Sequence, residues 1–239
     1  MRYLIKFSYD GTLFHGFQRQ KNVKNVQGLL EQTLSGYFGQ DILIKGSGRT
    51  DAGVHAKCQC SHFDTSKKVT WKDIKCINKI LNGEIVINNL KLVDNNFHAR
   101  HDVKKKTYVY KINVGKYKSN YEGYYYQIKY DLDIKKMREA SNVFVGVHDY
   151  RNFVSGYRDD YESVIYNIKI SKFGNILTFK FVGAGFYRYM VRHLVGALVD
   201  VGKGKVDINT IYGMIDNKEF TKKLCVVPAC GLYLTDIKY

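Results

Sequence analysis

The chain has to turn sharply between two strand-like runs. Ile42-Leu43-Ile44 leads in, Cys58-Gln59-Cys60-Ser61-His62-Phe63 leads out, and the connection is Gly46-Ser47-Gly48-Arg49-Thr50-Asp51-Ala52-Gly53-Val54-His55-Ala56. Gly46, Gly48 and Gly53 permit backbone angles and close approaches that other residues resist. Between these glycines stand one cation, Arg49, and one carboxylate, Asp51. Two readings stay open on this stretch alone: a salt-bridged structural turn, or a carboxylate held in place for chemistry.

Charge narrows the field. Lys and Arg total 38 against 22 acids, a net +16 with a pI near 9.5. So basic a globular chain generally meets a polyanion. Its 20 tyrosines and 13 phenylalanines favour RNA, whose unpaired bases stack on aromatic rings. The first residues carry no apolar leader, and no apolar run approaches the ~18 residues that span a bilayer. The most apolar helix, near Met190 to Val201, is broken by Arg192, His193 and Asp200. The expectation is a soluble, cytoplasmic protein with no membrane partner, and no protein partner is evident. Five cysteines without secretory features read as reduced thiols. His55, Cys58, Cys60 and His62 do not suit one zinc ion. Along a strand, residues two apart are ~6.6 Å apart, which puts Cys58 and His62 ~13 Å apart.

Taken in order, Tyr3 to Asp10 alternates as a first strand, and Asp10-Gly11-Thr12 turns the chain. Phe14 to Gln20 is a loop of rings, amides and a cation that suits RNA contact through Gln18, Arg19 and Gln20. Asn25 caps a helix from Val26 that Gly39 ends, and Thr70 with Asp73 opens another that stops near Asn82-Gly83. Ile85-Val86-Ile87 and Leu90 to Val93 read as two strands. Phe97-His98-Ala99-Arg100-His101 is a second cluster of rings and cations, before Lys104-Lys105-Lys106. Next comes the strand Thr107 to Ile112, with Tyr108 and Tyr110 on one face, and at least one of these rings is expected to be exposed in a cleft. Tyr121 to Tyr130 reads as a strand with a hairpin, Asp133 as a helix cap, and residues 146–160 as a loop. Ser163 to Ser171 and Ile176 to Val182 are strands joined at Phe173-Gly174-Asn175. The run Phe186 to Val199 reads as a buried helix with Arg188 and Arg192 four apart on one face, charges that need an anionic partner. Ile208 to Ile215 is a short helix, and a last strand ends the chain. Helices and antiparallel-looking strands mix without regular βαβ alternation, so the fold class is α+β.

Gly48-Arg49-Thr50-Asp51-Ala52-Gly53-Val54-His55-Ala56 resembles the signature of the tRNA pseudouridine synthase A family. Six further blocks are similar to that family in its own order. These are Tyr9-Asp10-Gly11 with Gly16 to Gln20, Val26-Gln27, Phe97 to Arg100, Tyr108-Val109-Tyr110, Met190-Val191-Arg192 and Gly231-Leu232-Tyr233-Leu234. Phe17 stands where a Trp is usual, Leu81-Asn82 where Leu-Pro is usual, and Cys230 precedes Gly231.

The resemblance implies two α/β domains with largely antiparallel mixed sheets flanking a basic cleft, here 1–101 with the catalytic loop and 102–239 completing the cleft. It implies a homodimer that isomerises uridine at positions 38 to 40 of the tRNA anticodon arm, without cofactor or metal. In that family's terms Asp51 resembles the catalytic nucleophile. Arg49 resembles its basic neighbour, Arg192 the arginine that pairs with it, and Tyr108 the tyrosine on the flipped base. Gln18, Arg19, Gln20, His55, Arg100 and Leu232 then serve as substrate contacts. The residues bear on two other readings. A non-catalytic RNA-binding protein has no use for a carboxylate among cations, and GxxxxGK[ST] is absent, which disfavours a nucleotide-binding enzyme.

Overall fold

The computed structural model describes residues 1–216 and 224–239, which fall into two compact units. One holds residues 1–104 with 233–239; the other holds 105–232.

In the first unit β1 (Arg2–Tyr9) lies between β3 (His55–Asp64) and β4 (Ile85–Val93), antiparallel to both. The last strand, β10 (Leu232–Lys238), runs parallel to β3, with Tyr233 opposite His55 and Leu234 opposite Ala56. A short β2 (Ile44–Gly46) pairs with the far end of β3. Helix α1 (Val26–Phe38) starts where expected, because the Asn25 side chain accepts the Gly28 N–H at 2.8 Å. It stops at Gly39, whose φ of 63° is left-handed. Helix α2 (Trp71–Ile80) carries the reciprocal box: Asp73 accepts from the Thr70 N–H while Thr70 Oγ1 accepts from the Asp73 N–H.

The second unit is an antiparallel sheet in the order β5 (Lys105–Asn113), β9 (Ile176–Gly183), β8 (Glu162–Phe173), β7 (Gly146–Asp149). A two-residue β6 (Tyr126–Gln127) runs parallel beside β5. Helices α3 (Ile134–Ser141), α4 (Met190–Gly202) and α5 (Ile208–Asp216) complete it, with α3 against α4 and α5. The class is therefore α+β, as the pattern of elements indicates. Among the described residues no helix is long and apolar enough to cross a membrane.

Several expectations need correction. The apolar runs 85–87 and 90–93 are one strand. Lys6 pairs with Asn89 and Phe7 with Ile87, so Asn88 is an extra, bulged residue. The bulge shifts the side-chain parity by one and sets Leu90 and Leu92 on the same face as Ile85 and Ile87. Strand β2 begins at Ile44, because the Ile42 N–H is taken by the Ser35 hydroxyl at 2.9 Å and Leu43 is exposed. Tyr121 to Tyr130 forms no hairpin: a 3₁₀ turn at Ser119–Tyr121 precedes the short β6. Residues 146–160 are not all loop, since they hold β7 and a 3₁₀ turn at Arg151–Phe153.

The buried helix expected from Phe186 starts at Met190. Tyr189, at φ 62°, takes a left-handed turn that ends the preceding segment. Arg188 thus lies outside the helix and is exposed, while Arg192 is half-buried in its first turn. The two arginines do not share a helix face.

Helix α4 approaches the chain at Cys225 so closely that a Cβ on Gly196 would stand 1.7 Å from the Cys225 carbonyl oxygen. By contrast, a Cβ on Gly213, in α5, meets nothing within 4 Å. Gly196→Ala is expected to lower the unfolding free energy by at least about 3 kcal/mol through overpacking. Gly213→Ala should raise it by about 0.5–1 kcal/mol. Urea titration of both variants checks the pair.

Candidate active site

The glycine-punctuated loop is built on what lies beneath it. Tyr9, at the end of β1, is buried, and its hydroxyl meets Thr50 Oγ1 at 2.8 Å. Burial pushes the Tyr9 phenol up to about 12, so it remains a neutral hydrogen-bonding group. The Phe17 N–H donates to the Thr50 carbonyl at 3.1 Å. Gly16, at φ 88°, lies against the same stretch, and a Cβ there would be 2.9 Å from the Thr50 oxygen and 3.2 Å from the Ala52 nitrogen. The Phe17 ring fills the space that a side chain on Gly46 would need, with a Cβ there falling 2.5 Å from the ring.

Gln59 is the second brace. Its side chain is wholly buried, and Oε1 accepts from the Ser47 hydroxyl at 2.7 Å while Nε2 donates to the Gly48 carbonyl at 3.2 Å. The Ser47 N–H donates to the Cys60 carbonyl at 2.8 Å, and the Val54 N–H closes the turn on the Asp51 carbonyl at 3.1 Å. An irregularity in the β1–β3 pairing lies just below. Phe7 faces Gln59 and Tyr9 faces Ala56, so β3 carries an extra residue there. Bulges of this kind re-aim the chain next to working sites.

His55 opens β3 at the base of the loop. Its ring is buried and stacks on Tyr233, with centroids 4.5 Å apart and planes 15° apart. The Gly11 N–H reaches Nδ1 at 3.1 Å and Asp10 Oδ1 lies 3.3 Å from the same atom. One nitrogen cannot both accept from Gly11 and donate to Asp10. Nδ1 accepts from Gly11 in the tautomer whose proton is on Nε2, and donates to Asp10 whenever it carries a proton itself. In either state His55 is a strut under the loop. Gly11 itself cannot carry a side chain, since a Cβ would lie 2.4 Å from the Val54 carbonyl.

Exposure changes from residue to residue along the loop. Thr50 is buried, Arg49 is exposed, and Asp51 is half-buried. Arg49 forms no ion pair among the described residues, so a turn held together by an Arg49–Asp51 bridge is not what shapes this loop.

The other residues singled out in this unit lie as follows. Gln18, Arg19 and Gln20 are exposed. Arg19 Nη1 pairs at 3.0 Å with the buried carboxylate of Glu31, and the Gln20 amide donates to the His15 carbonyl at 2.9 Å. Arg100 is exposed on the turn after Phe97, and its N–H donates to His98 Nδ1 at 3.1 Å. Nearby, His62 Nδ1 accepts from the Ala99 N–H at 3.0 Å. Burial, aided by the Arg2 charge, holds that imidazole down to about 4 and hence neutral.

In the second unit, Tyr108 on β5 packs edge-on against Phe186 at 5.2 Å and is 9% exposed; Tyr110 is 0% exposed and donates its hydroxyl to the Pro228 carbonyl at 2.7 Å. The expectation that one of these rings would be exposed is not met, since Tyr110 is fully covered and Tyr108 almost so. Arg192 donates from Nε to the Val227 carbonyl at 2.8 Å and lies over the Tyr189 ring at 4.5 Å. Leu232 is buried. It follows Gly231, whose missing side chain leaves room for the Tyr110 ring.

Comparison with known proteins completes the picture. The model of a family described as tRNA pseudouridine synthase matches residues 5–114 and 140–239. The chain belongs to the tRNA pseudouridine synthase family. It is thus a member of a family of isomerases. A tRNA pseudouridine synthase A of Lactobacillus helveticus is 37% identical over 246 residues, covering 100% of this chain and 94% of that protein. Its counterpart in Mycoplasma genitalium is 37% identical over 242 residues, with 100% and 98% covered. A Bacillus cereus tRNA pseudouridine synthase A 1 is 37% identical over 239 residues, with 97% and 96% covered.

The family match includes residues whose supporting roles were not read from the sequence: Gln59, the Tyr9–Thr50 hydrogen bond and the seat of Gly16. The available signal for Gln59 was an amide on a strand between two cysteines, directly after a glycine-rich loop. Gln59→Leu removes the amide's hydrogen bonds to the Ser47 hydroxyl and the Gly48 carbonyl. It is expected to cost about 1–3 kcal/mol of stability and to speed amide exchange at residues 47–51. Denaturant titration and hydrogen exchange check this.

Proposed function

We propose that this chain isomerises uridine to pseudouridine at positions 38 to 40 of the tRNA anticodon arm, with Asp51 as the attacking carboxylate. The observation that carries the reading is the half-buried Asp51, on a loop fixed by hydrogen bonds at Ser47, Gly48, Thr50 and Val54. Family membership and the net charge of +16 support a tRNA substrate.

The reaction breaks the bond between ribose C1′ and uracil N1 and forms one from C1′ to C5. The C5 proton is released and N1 ends as N–H, so atoms balance without a redox partner. The target base must first leave its stack, at a cost of a few kcal/mol that cationic and stacking contacts offset. Asp51 then acts on the ribose, as nucleophile at C1′ or as base, and must be ionised to do either. In this reading Arg192 pairs with Asp51 and keeps it charged, Tyr108 contacts the flipped base, and Arg49 takes a neighbouring phosphate. Gln18, Arg19, Gln20, Arg100 and Leu232 border the bound RNA, while His55 acts through the loop it supports. The N-terminal part, residues 1–101, supplies the loop, and residues 102–239 supply Tyr108 and Arg192. The enzyme works as a cytoplasmic homodimer, with its self-contacts away from the RNA-binding faces that would repel each other.

Asp51→Asn is expected to keep tRNA affinity within a few fold while slowing pseudouridine formation by at least about a thousandfold. Single-turnover assays with purified variant and tRNA transcript measure both, and clear turnover by the Asn variant refutes the assignment. Tyr108→Phe is expected to retain binding and fold but to react more slowly. Loss of the circular dichroism spectrum in that variant would mark Tyr108 as a purely structural ring.

A further inference from the structure

One stretch of the second unit is absorbed by neither the catalytic loop nor the family match, which skips residues 115–139. It is firmly built. Asn113, 1% exposed, donates to the Lys116 carbonyl at 2.9 Å and accepts from the Gly115 N–H at 3.1 Å. The Gln127 amide grips Lys118 on both sides, accepting from its N–H and donating to its carbonyl, each at 2.9 Å. Buried or bridging polar groups are thus spent on holding Lys116-Tyr117-Lys118 outward. All three are exposed, with Tyr117 at 58%.

The β8–β9 turn is tied to the same place. The Val114 N–H donates to the Asn175 carbonyl at 2.9 Å, and the Asn175 side chain occupies the space a Cβ on Gly115 would need. That turn carries Phe173, a residue 92% exposed, next to Lys172. Behind the loop the cations are pre-arranged on rings. Lys118 Nζ stands 5.0 Å from the Tyr121 centroid, Tyr121 stacks on Tyr125 at 4.3 Å, and Lys111 Nζ caps Tyr125 at 5.3 Å. The one acid in residues 111–130 is Glu122, against Lys111, Lys116, Lys118 and Lys129, and it accepts from the Tyr117 hydroxyl at 2.8 Å.

A rigid loop that keeps a phenyl and a phenol ring in water among lysines suits a ligand that brings both flat faces and negative charge. We infer that the adjoining loops at Lys116–Lys118 and Phe173–Asn175 form a second RNA-docking surface, which stacks an unpaired nucleotide on Phe173 or Tyr117 and takes backbone phosphates on Lys116 and Lys118. RNA fits better than a second copy of the chain, because two such lysine-rich surfaces repel each other. The choice of tRNA as the ligand rests on the function proposed above.

Two double variants test it: Tyr117→Ala with Phe173→Ala, and Lys116→Ala with Lys118→Ala. All four side chains are exposed, so the fold should persist, as unchanged Tm values would verify. Binding of an unmodified tRNA transcript is expected to weaken at least about tenfold in each double variant. In the lysine pair the slope of log affinity against log salt should also fall by about 1.5. The single-turnover rate at saturating tRNA should stay as in the wild type. Affinities within twofold of wild type with an unchanged salt slope overturn the proposal. So does an affinity loss that appears only with dissociation of an oligomer in sedimentation, which assigns the surface to self-association. Binding is read without turnover, so a wild type that binds through these loops but makes no pseudouridine refutes the proposed function and leaves the docking surface standing.

Discussion

The candidate site depends on how the loop that carries Asp51 is held in place. A stretch with glycine at 46, 48 and 53 has little stiffness of its own. Its rigidity comes from outside: Gln59 on Ser47 and Gly48, Tyr9 and Phe17 on Thr50, and His55 under the turn. All of these supports except the Phe17 segment sit on β1 or β3, strands paired over most of their length. Sites held by strand-borne groups are more precise than sites left to the loop itself, and catalysis loses rate steeply with small misplacements.

That arrangement explains several glycines. At Gly11, Gly16 and Gly46 the missing side chain is replaced by backbone or by a ring of the neighbouring segment. The loop is thus seated by close approach as much as by hydrogen bonds. On either side of buried Thr50, Arg49 is exposed and Asp51 half-buried.

Much of this was legible in the sequence. Caps are local, so Asn25, Gly39, Thr70 with Asp73, and Asp133 marked their helices correctly. The α+β class followed from the irregular order of elements. What failed depended on partners distant in sequence. The bulge at Asn88 appears only once β1 supplies the register, so one strand read as two. Tyr189 in a left-handed conformation moved the start of α4 and removed Arg188 from it, although the apolar pattern runs on through Phe186. Tyr108 and Tyr110 looked like a platform from strand parity, but parity does not say which face is covered. Gln59 carried no motif, and its role exists only because β3 passes under the loop it has just left.

The central claim is that Asp51 and its braced loop serve uridine isomerisation in the anticodon arm. Its most direct test uses wild-type protein and tRNA transcripts carrying tritium at uracil C5, since forming the C1′–C5 bond expels that hydrogen. The account predicts one equivalent of tritium released per target uridine, and none when the uridines at positions 38 to 40 are replaced by cytidine. No release from the unaltered transcript, or release that persists after the replacement, would contradict it.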